Sequence, residues 1–563
     1  MSEKTNLLGL GIDFGTNSVR ALILDLITGK ELATSVSNYK SGEVGILLDK
    51  NDPVLARQNP ADYLESMEIS VRETVNKIKE LGINVENIAG IGVDTTGSTP
   101  IPVDENMIPL AMKPEFKENL NAHAWLWKDH TSINESIQIT ELAAEMRPDF
   151  IAKCGGAYSS EWFFSKILHC LNVDKKVFDS AATWVECSDF IPAALAGVNN
   201  INDLKRNICA AGHKAMYSDD WNGYPDEEFL ARLSPELVRL RKTLEKQAYT
   251  IDELAGNLSK EWAEKFGLKE NIPIAIGAMD AHLGAIGSGV GKGTLVKIIG
   301  TSTCDIMVED ISSNIKPIPG VAGFVDHSVI PNYVGIEAGQ SAVGDIFNWY
   351  ITKVLKKDFS YFDTLTEKAQ ELKAGQSGLL SLDWNNGNRT ILADFNLSGL
   401  ILGQTLHTTD YEIYRALIEA TAFGALKIIE RIEEYGVQIK KVVNCGGIAE
   451  KNPLVMQIYA DVTNRPMEVA ESSQTVAMGS AIVGGWAGAK GTEGFENIEE
   501  IQQRVCKVKE KVYYPNADEA KVYAKIYKLY SKLHDSFGLK NHSSNLYDVM
   551  KELIEIKKNV IGN

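Results

Sequence analysis

The sequence predicts an α/β protein in which two related domains face one another across a cleft. Three observations carry this. The opening apolar run Leu7, Leu8, Leu10, Ile12 meets the tip Gly15-Thr16-Asn17-Ser18, and a second apolar run, Val19 to Leu24, leads away; this reads as two strands joined by a tight polar hairpin. Leu295-Val296-Lys297-Ile298-Ile299-Gly300-Thr301-Ser302 repeats the design, with the return strand Cys304 to Val308. Between and after the hairpins, apolar strands alternate with helical patterns and run out into Gly/Ser/Thr loops, the grammar of sheets that bind ligands beyond their strand ends.

At 563 residues the chain is too long for one core. The net charge of -18 excludes nucleic acid and anionic lipid as default partners, because both require a basic surface. No apolar run reaches the ~18 residues that span a bilayer. The start Met1-Ser2-Glu3-Lys4-Thr5-Asn6 lacks the pattern of a signal peptide. Seven scattered cysteines (Cys154, Cys170, Cys187, Cys209, Cys304, Cys445, Cys506), never spaced C-x-x-C, suit a reducing compartment. The expectation is a cytoplasmic enzyme.

Taken in order, the first hairpin offers backbone N–H groups near glycine and the side-chain donors of Thr16, Asn17 and Ser18, a concave set that suits phosphate oxygens. Asp13, at the end of its first strand, is placed to hold Mg²⁺ directly or through water. Asn59-Pro60 starts a helix to about residue 81, with Leu64, Met67, Val71, Val75 and Ile78 on one face and Gly82 as the stop. Ile88 to Asp94 then reads as a buried strand ending in Thr95-Thr96-Gly97-Ser98, so Thr96 and Gly97 either line a small-molecule site or form a plain turn. Residues 110–225 read as less regular. Trp125-Leu126-Trp127-Lys128-Asp129-His130 offers a sugar two indoles beside hydrogen-bonding groups, or else belongs to the core. Trp184 to Gly197 reads as a strand or turn entering a short helix, and Lys214, in Ala211-Gly212-His213-Lys214, as a loop lysine. The apolar strand from Ile272 delivers the single carboxylate Asp280 onto a Gly-flanked turn, a general-base or metal candidate preferred over its neighbour His282.

In the second half, Glu337 leaves a Gly-flanked strand end. Thr409 and Glu412 form a capping box for a structural helix that ends at Gly436. A strand from Lys441 reaches Gly446-Gly447, where missing side chains leave room for an adenine or ribose, and Asn452-Pro453 starts the next helix. The helix from Val476 is built of small residues suited to close packing, and residues 516–563 read as two amphipathic helices.

The order Asp13-x-Gly15-Thr16-x-Ser18-x-Arg20, Asp280, Gly300-Thr301-Ser302, Gly446-Gly447-Ile448-Ala449-x-x-Asn452 resembles the FGGY carbohydrate kinases of the actin-like ATPase group, over roughly residues 7–490. Length, the Trp125–His130 segment, Asp280-Ala281-His282 and Glu337-Ala338-Gly339-Gln340-Ser341 are most similar to the members that phosphorylate L-ribulose. Lys166-Ile167-Leu168-His169 departs from the Lys-x-x-Trp of many members, which points away from glycerol and xylulose as substrates. The resemblance implies two ribonuclease-H-like domains, residues 1–287 for sugar and 288–500 for ATP, with residues 501–563 as a helical extension packed on the body. It implies ATP and Mg²⁺, with Asp280 as the base and Asp13 and Asp280 as metal ligands. Gly15, Thr16, Asn17, Ser18, Arg20, Gly300, Thr301 and Ser302 would hold phosphates, and Gly446, Gly447 and Asn452 the adenosine. Thr96, Gly97, Lys214, Asp280 and Glu337 match positions that contact a ketopentose. The implied reaction is phosphorylation of L-ribulose at its terminal hydroxyl in L-arabinose catabolism, with no nucleic-acid or membrane partner and a homodimer left open. Two alternatives stand beside it: the same chemistry on another pentulose or polyol such as D-ribulose or xylulose, and an actin-like ATPase that works as a chaperone, filament or sensor.

Overall fold

The computed structural model describes residues 7–562. Two mixed sheets, each faced by helices, are built on the same plan. In the first half the strands of the main sheet are β1 (Leu8–Phe14), β2 (Ser18–Asp25), β3 (Glu31–Asn38), β4 (Ile88–Thr95), β5 (Leu254–Asn257), β6 (Pro273–Ala275) and β7 (Ala278–Met279). Their order is β5-β6-β4-β1-β2-β3, with β7 also paired to β4. In the second half β8 (Thr294–Ile299), β9 (Thr303–Asp310), β10 (Gly323–Asp326), β11 (Tyr333–Ala338), β12 (Lys441–Cys445) and β13 (Met467–Val469) run in the order β10-β11-β9-β8-β12-β13. In both sheets the hairpin is antiparallel and a parallel strand lies on its first member: β4 on β1, and β12 on β8. The predicted duplication is therefore a duplication of topology.

Local chemistry explains the elements. Asn59 accepts from the Ala61 N–H and Pro60 opens helix α1 (Pro60–Glu80), as expected. Its buried face is Tyr63, Met67, Val71, Val75 and Ile78, whereas Leu64 is only half-buried. Tyr63 takes the inward position because its hydroxyl reaches Gln58 Oε1 at 2.6 Å, so a buried phenol is satisfied. Each such buried apolar side chain stabilises the fold by about 1.5–3 kcal/mol.

Residues 110–225 correct the expectation of irregularity. They contain helices α2 (Ile133–Met146), α3 (Phe163–Val173), α4 (Cys187–Ala196) and α5 (Ile208–Ala215), among shorter turns. Helices α2, α3 and α5 line an aromatic core in which Trp125 and Trp184 meet edge to face, 6.1 Å apart, whereas α4 gives Phe190, Ile191 and Leu195 to the core of the first sheet. The helices are short and their apolar residues are divided between two clusters, so no long periodic stripe marks them.

The halves are joined by small residues. Helix α6 (Asp280–Gly287) follows β7, and helix α7 (Thr475–Ala489) comes from the second half yet lies on β1 and β4 of the first. A Cβ on Gly92 would stand 2.0 Å from Ser480 O, one on Gly9 2.0 Å from Ala481 O, and one on Gly479 1.8 Å from Leu283 O. Backbone thus touches backbone along the seam. The core around it mixes Leu22, Leu283 and Ile286 with Val296, Ile306, Val443, Ala477 and Ala481. The two C-terminal helices, Ala517–Gly538 and Val549–Ile561, add Tyr523, Tyr530, Leu533 and Leu553 to the second core. Among the described residues no helix is long and apolar enough to cross a membrane.

Candidate active site

The register of the first sheet assembles a carboxylate cluster. Asp13 of β1 is paired with Asp94 of β4, and Asp94 and Thr95 are paired with Ala278 and Met279 of β7, so Asp280 leaves the sheet beside them. Asp94 is wholly buried and Asp13 nearly so. Burial, then the charge of Asp13, pushes the Asp94 carboxyl well up, and the Ser480 hydroxyl that bonds it does not offset this. Asp13 is raised by burial, against the pull of Arg20, whose guanidinium lies 3.4 Å from Asp13 Oδ2. Burial lifts Asp280 to about 6, with Asp13 and Glu337 adding repulsion against its bond from the Ala281 N–H. Asp94 Oδ1 is buried without a hydrogen-bond partner. Three mutually repelling carboxylates with an orphaned oxygen are a hard donor set that fits Mg²⁺.

The hairpin tips are held from outside. In the first, the Gly15 N–H donates to Ser18 O at 3.0 Å. Trp127 Nε1 donates to Thr16 Oγ1 at 3.1 Å, Gln58 Nε2 to Thr16 O at 2.7 Å, and Asn17 Nδ2 to Val44 O at 2.6 Å. In the second, the Gly300 N–H donates to Ser302 O at 2.9 Å, while the Val343 and Asp345 N–H groups bind Thr301 O at 2.8 and 3.1 Å. Ile298 is paired with Cys445, so Gly446 (φ +92°) turns away beside the Gly300 tip, and Gly447 has open space where a side chain would stand. The structure thus brings Gly446 and Gly447 to the second tip. Asn452 is spent on its helix: its Oδ1 caps Val455 N at 3.2 Å and its Nδ2 faces Tyr414 Oη at 3.4 Å. Arg20 is placed against Asp13 rather than the tip backbone.

On the other side of Asp280 lies a second buried cluster. Lys214 is not a solvated loop lysine. It sits in the last turn of α5, buried, and donates to Glu337 Oε1 at 2.8 Å, with the Trp162 ring 5.4 Å away. The loop reading failed because Ala-Gly-His-Lys looks like a turn, yet Gly212 is there to let the helix meet Val325 closely. Glu337 Oε2 is 3.1 Å from His282 Nε2 and 3.5 Å from His213 Nδ1. Burial alone would raise Glu337, but Lys214, His282 and His213 hold it well below the usual carboxylate range. His282 loses charge stability to burial and regains more from Cys209 and Glu337, which hold it at about 9. A cleft beside this cluster is lined by Glu161, Trp162, Lys214, Glu337 and Arg389. Thr96 and Gly97 turn at the carboxyl end of β4; the Thr96 N–H bonds Phe14 O at 3.1 Å and Gly97 lies against Met279.

The aromatic segment divides. Trp125 is fully buried, with Arg57 stacked 3.4 Å over its ring and Arg57 paired to Asp129; it is core and not a sugar platform. Trp127 serves the first tip. Lys166 is buried and donates to Ser98 O and Leu126 O at 2.8 and 2.9 Å, while His169 pairs with Glu135 at 3.0 Å. Sequence reasoning missed Asp94, His213 and Arg389. Asp94 had a signal, because Gly92-Val93-Asp94-Thr95-Thr96-Gly97 echoes Gly11-Ile12-Asp13-Phe14-Gly15-Thr16. His213 and Arg389 had none, since only folding brings them to Glu337.

Comparison with known proteins agrees with this geometry. The chain matches the N-terminal domain of the FGGY family of carbohydrate kinases over residues 8–287 and the C-terminal domain of that family over residues 295–488. It is 38% identical to a ribulokinase of Shouchella clausii, covering 98% of this chain and 98% of that one, and 42% identical to a ribulokinase of Vibrio parahaemolyticus, covering 84% and 86%. Among solved structures its fold is similar to a xylulose kinase from Rhodospirillum rubrum (TM-score 0.75, 20% identity, 94% and 99% of the two chains) and to a glycerol kinase of Plasmodium falciparum with ADP (TM-score 0.74, 17% identity, 95% and 99%). With both halves matched in order along one duplicated fold, the chain belongs to the FGGY family of carbohydrate kinases.

Proposed function

We propose that this protein transfers the γ-phosphoryl group of ATP to the terminal hydroxyl of L-ribulose, giving L-ribulose 5-phosphate. That reaction would serve L-arabinose catabolism. The observation that carries the reading is the position of Asp280, between the carboxylates of Asp13 and Asp94 and the buried Lys214–Glu337 pair. The ribulokinase names of relatives at 38–42% identity support the choice of sugar.

Phosphoryl transfer needs positioning and charge neutralisation more than covalent chemistry. Asp280, lifted to about 6, is ionised at neutral pH yet basic enough to accept the hydroxyl proton. Lys214 and Glu337 offer a donor and an acceptor with fixed positions to the ketose hydroxyls and carbonyl. The Gly15 and Gly300 N–H groups close the two turns, and the remaining N–H groups of the tips, with the hydroxyls of Thr16, Ser18, Thr301 and Ser302, would bind the phosphates. Gly446 and Gly447 leave room for adenosine, with Asn452 capping the helix behind. Asp13, Asp94 and Asp280 would hold Mg²⁺, which when bound neutralises and orients the β- and γ-phosphates. Residues 1–287 would carry the sugar, 288–500 the nucleotide and 501–563 the supporting helices, although α7 is shared between the first two. Closure of the two halves excludes water that would otherwise take the phosphoryl group.

The test is ADP release by the purified protein with Mg²⁺ and ATP, with and without L-ribulose. The expected result is sugar-dependent release that falls by about 10²–10⁴-fold in Asp280→Asn, with the variant still folded. Sugar-independent release, or near-normal turnover by the variant, would overturn the reading.

A further inference from the structure

Beside the sugar cleft, His213, His282 and Glu337 each offer one ligand atom, and these atoms all lie within 4.8 Å of one another. We propose that these three residues form a second, regulatory metal site for a borderline divalent ion of the Zn²⁺ kind, and that its occupation inhibits the kinase by taking Glu337 from the sugar. The competition with sugar rests on the function proposed above; the binding itself does not.

Four observations converge. In a tetrahedral site with bonds of about 2.0–2.1 Å, neighbouring ligand atoms lie about 3.4 Å apart. Glu337 Oε2 stands 3.1 Å from His282 Nε2 and 3.5 Å from His213 Nδ1. His213 is fully buried, and its Nδ1, aimed at Glu337, has no hydrogen-bond partner; a buried polar atom left so is costly unless something else satisfies it. Both imidazoles also have the outer support that metal-bound histidines have: His213 Nε2 lies 3.0 Å from Ser328 Oγ, and His282 Nδ1 3.1 Å from Cys209 Sγ. Finally, the side chain of Glu337 keeps 12% exposure, so a fourth position opens toward the cleft.

Two imidazoles and one carboxylate select Zn²⁺, Co²⁺ or Ni²⁺ over Mg²⁺, which prefers oxygen alone. The site is therefore distinct in chemistry from the Asp13–Asp94–Asp280 cluster. On binding, the His282 imidazolium releases its Nε2 proton to solvent and keeps Nδ1–H facing Cys209, and Glu337 Oε2 turns from hydrogen-bond acceptor to ligand. No atom changes oxidation state. With Glu337 held by the ion and Lys214 repelled by it, the acceptor and donor offered to the sugar are both withdrawn.

The experiment uses the full chain in excess Mg²⁺. Equilibrium dialysis against Zn²⁺, without sugar or ATP, compares the wild type with His213→Gln, and Co²⁺ replaces Zn²⁺ for visible spectroscopy. Ser328→Ala, which removes the hydroxyl that lies 3.0 Å from His213 Nε2 and 3.4 Å from His282 Nδ1 while keeping all three ligands, serves where His213→Gln fails to fold. The expected result is one more Zn²⁺ per wild-type chain than per His213→Gln chain, a Co²⁺ spectrum without a sulfur charge-transfer band, and about 10–100-fold weaker binding in Ser328→Ala. Zn²⁺ inhibition should be competitive with sugar, reversed by a chelator and absent from His213→Gln when each protein is compared with its own Zn²⁺-free turnover. Equal Zn²⁺ uptake by wild type and His213→Gln, a sulfur band, or inhibition competitive with ATP would overturn the proposal. Because dialysis contains no sugar, a wrong substrate leaves that readout standing, whereas failure to phosphorylate L-ribulose in metal-depleted buffer with Mg²⁺ would strike the function alone.

Discussion

Gly92→Ala should be among the most damaging single-methyl additions in this protein. Its Cβ would meet Ser480 O at 2.0 Å, Gly484 N at 2.8 Å and Ser480 C at 2.9 Å, whereas ordinary contact begins at 3.4 Å. Every obstacle is backbone, so no rotamer change relieves it, and α7 must retreat from β4 by about 1.4 Å. Overpacking of a close-packed core costs about 1–3 kcal/mol, and a rigid obstacle belongs at the upper end, about 3 kcal/mol. The retreat also pulls Ser480 from Asp94, two residues beyond Gly92 on the same strand. Stability and turnover should therefore fall together. Gly291→Ala is the control: nothing lies within 4 Å of its added Cβ and its φ is not positive, so it should be neutral or gain about 0.4–1 kcal/mol from the stiffer unfolded chain. Urea midpoints and sugar-dependent ADP release read both variants. A Gly92→Ala midpoint equal to that of the wild type would refute the seam as described.

Three further outcomes follow from the same geometry. Glu337→Gln strips the carboxylate from Lys214 and His282 together and should cost about 3–5 kcal/mol, as removal of one partner of a buried pair does; Lys214→Met leaves Glu337 with His282 and should cost less, and the double variant less than the sum, read by thermal unfolding alongside the KM for sugar. Trp127→Phe removes the indole donor to Thr16 Oγ1 and should raise the KM for ATP by about 2–10-fold, from a hydrogen bond of about 0.5–1.5 kcal/mol, while leaving the KM for sugar unmoved; a selective rise in the sugar KM would contradict the placement. Burial lowers Lys166 to about 8 against the pull of Asp129 and Glu186. Between that pH and its unfolded value the unfolded chain binds more protons, so this group's contribution to stability rises with pH from 8 upward. The gain by pH 9.5 is about 2 kcal/mol, and Lys166→Met should remove it; an unchanged pH slope would place the charge elsewhere.

Much of the fold was written locally. Asn59-Pro60, the Thr409–Glu412 capping box and the Gly15 and Gly300 tips each act within a few residues of chain, so their patterns predict them directly. The duplication was legible for the same reason, since each hairpin carries its own strand and turn signals. Asp280 was legible as the carboxylate that the apolar strand from Ile272 delivers onto a Gly-flanked turn. What the sequence left open depended on contacts between distant segments. Trp125 was ambiguous until Arg57 stacked on it, and Lys214 read as solvated until β11 brought Glu337 to it. His213 and Arg389 become site residues only because separate strands and helices converge there, whereas Asp94 carried a local signal in its echo of the Asp13 segment. The small residues of α7 announced close packing but not its partner, which is the other half of the molecule. Caps, turns and strand ends are short-range physics that the chain states by itself; the charge, protonation and pairing of the buried groups depend on which distant neighbours exclude water from them, and that was decided by the tertiary structure alone.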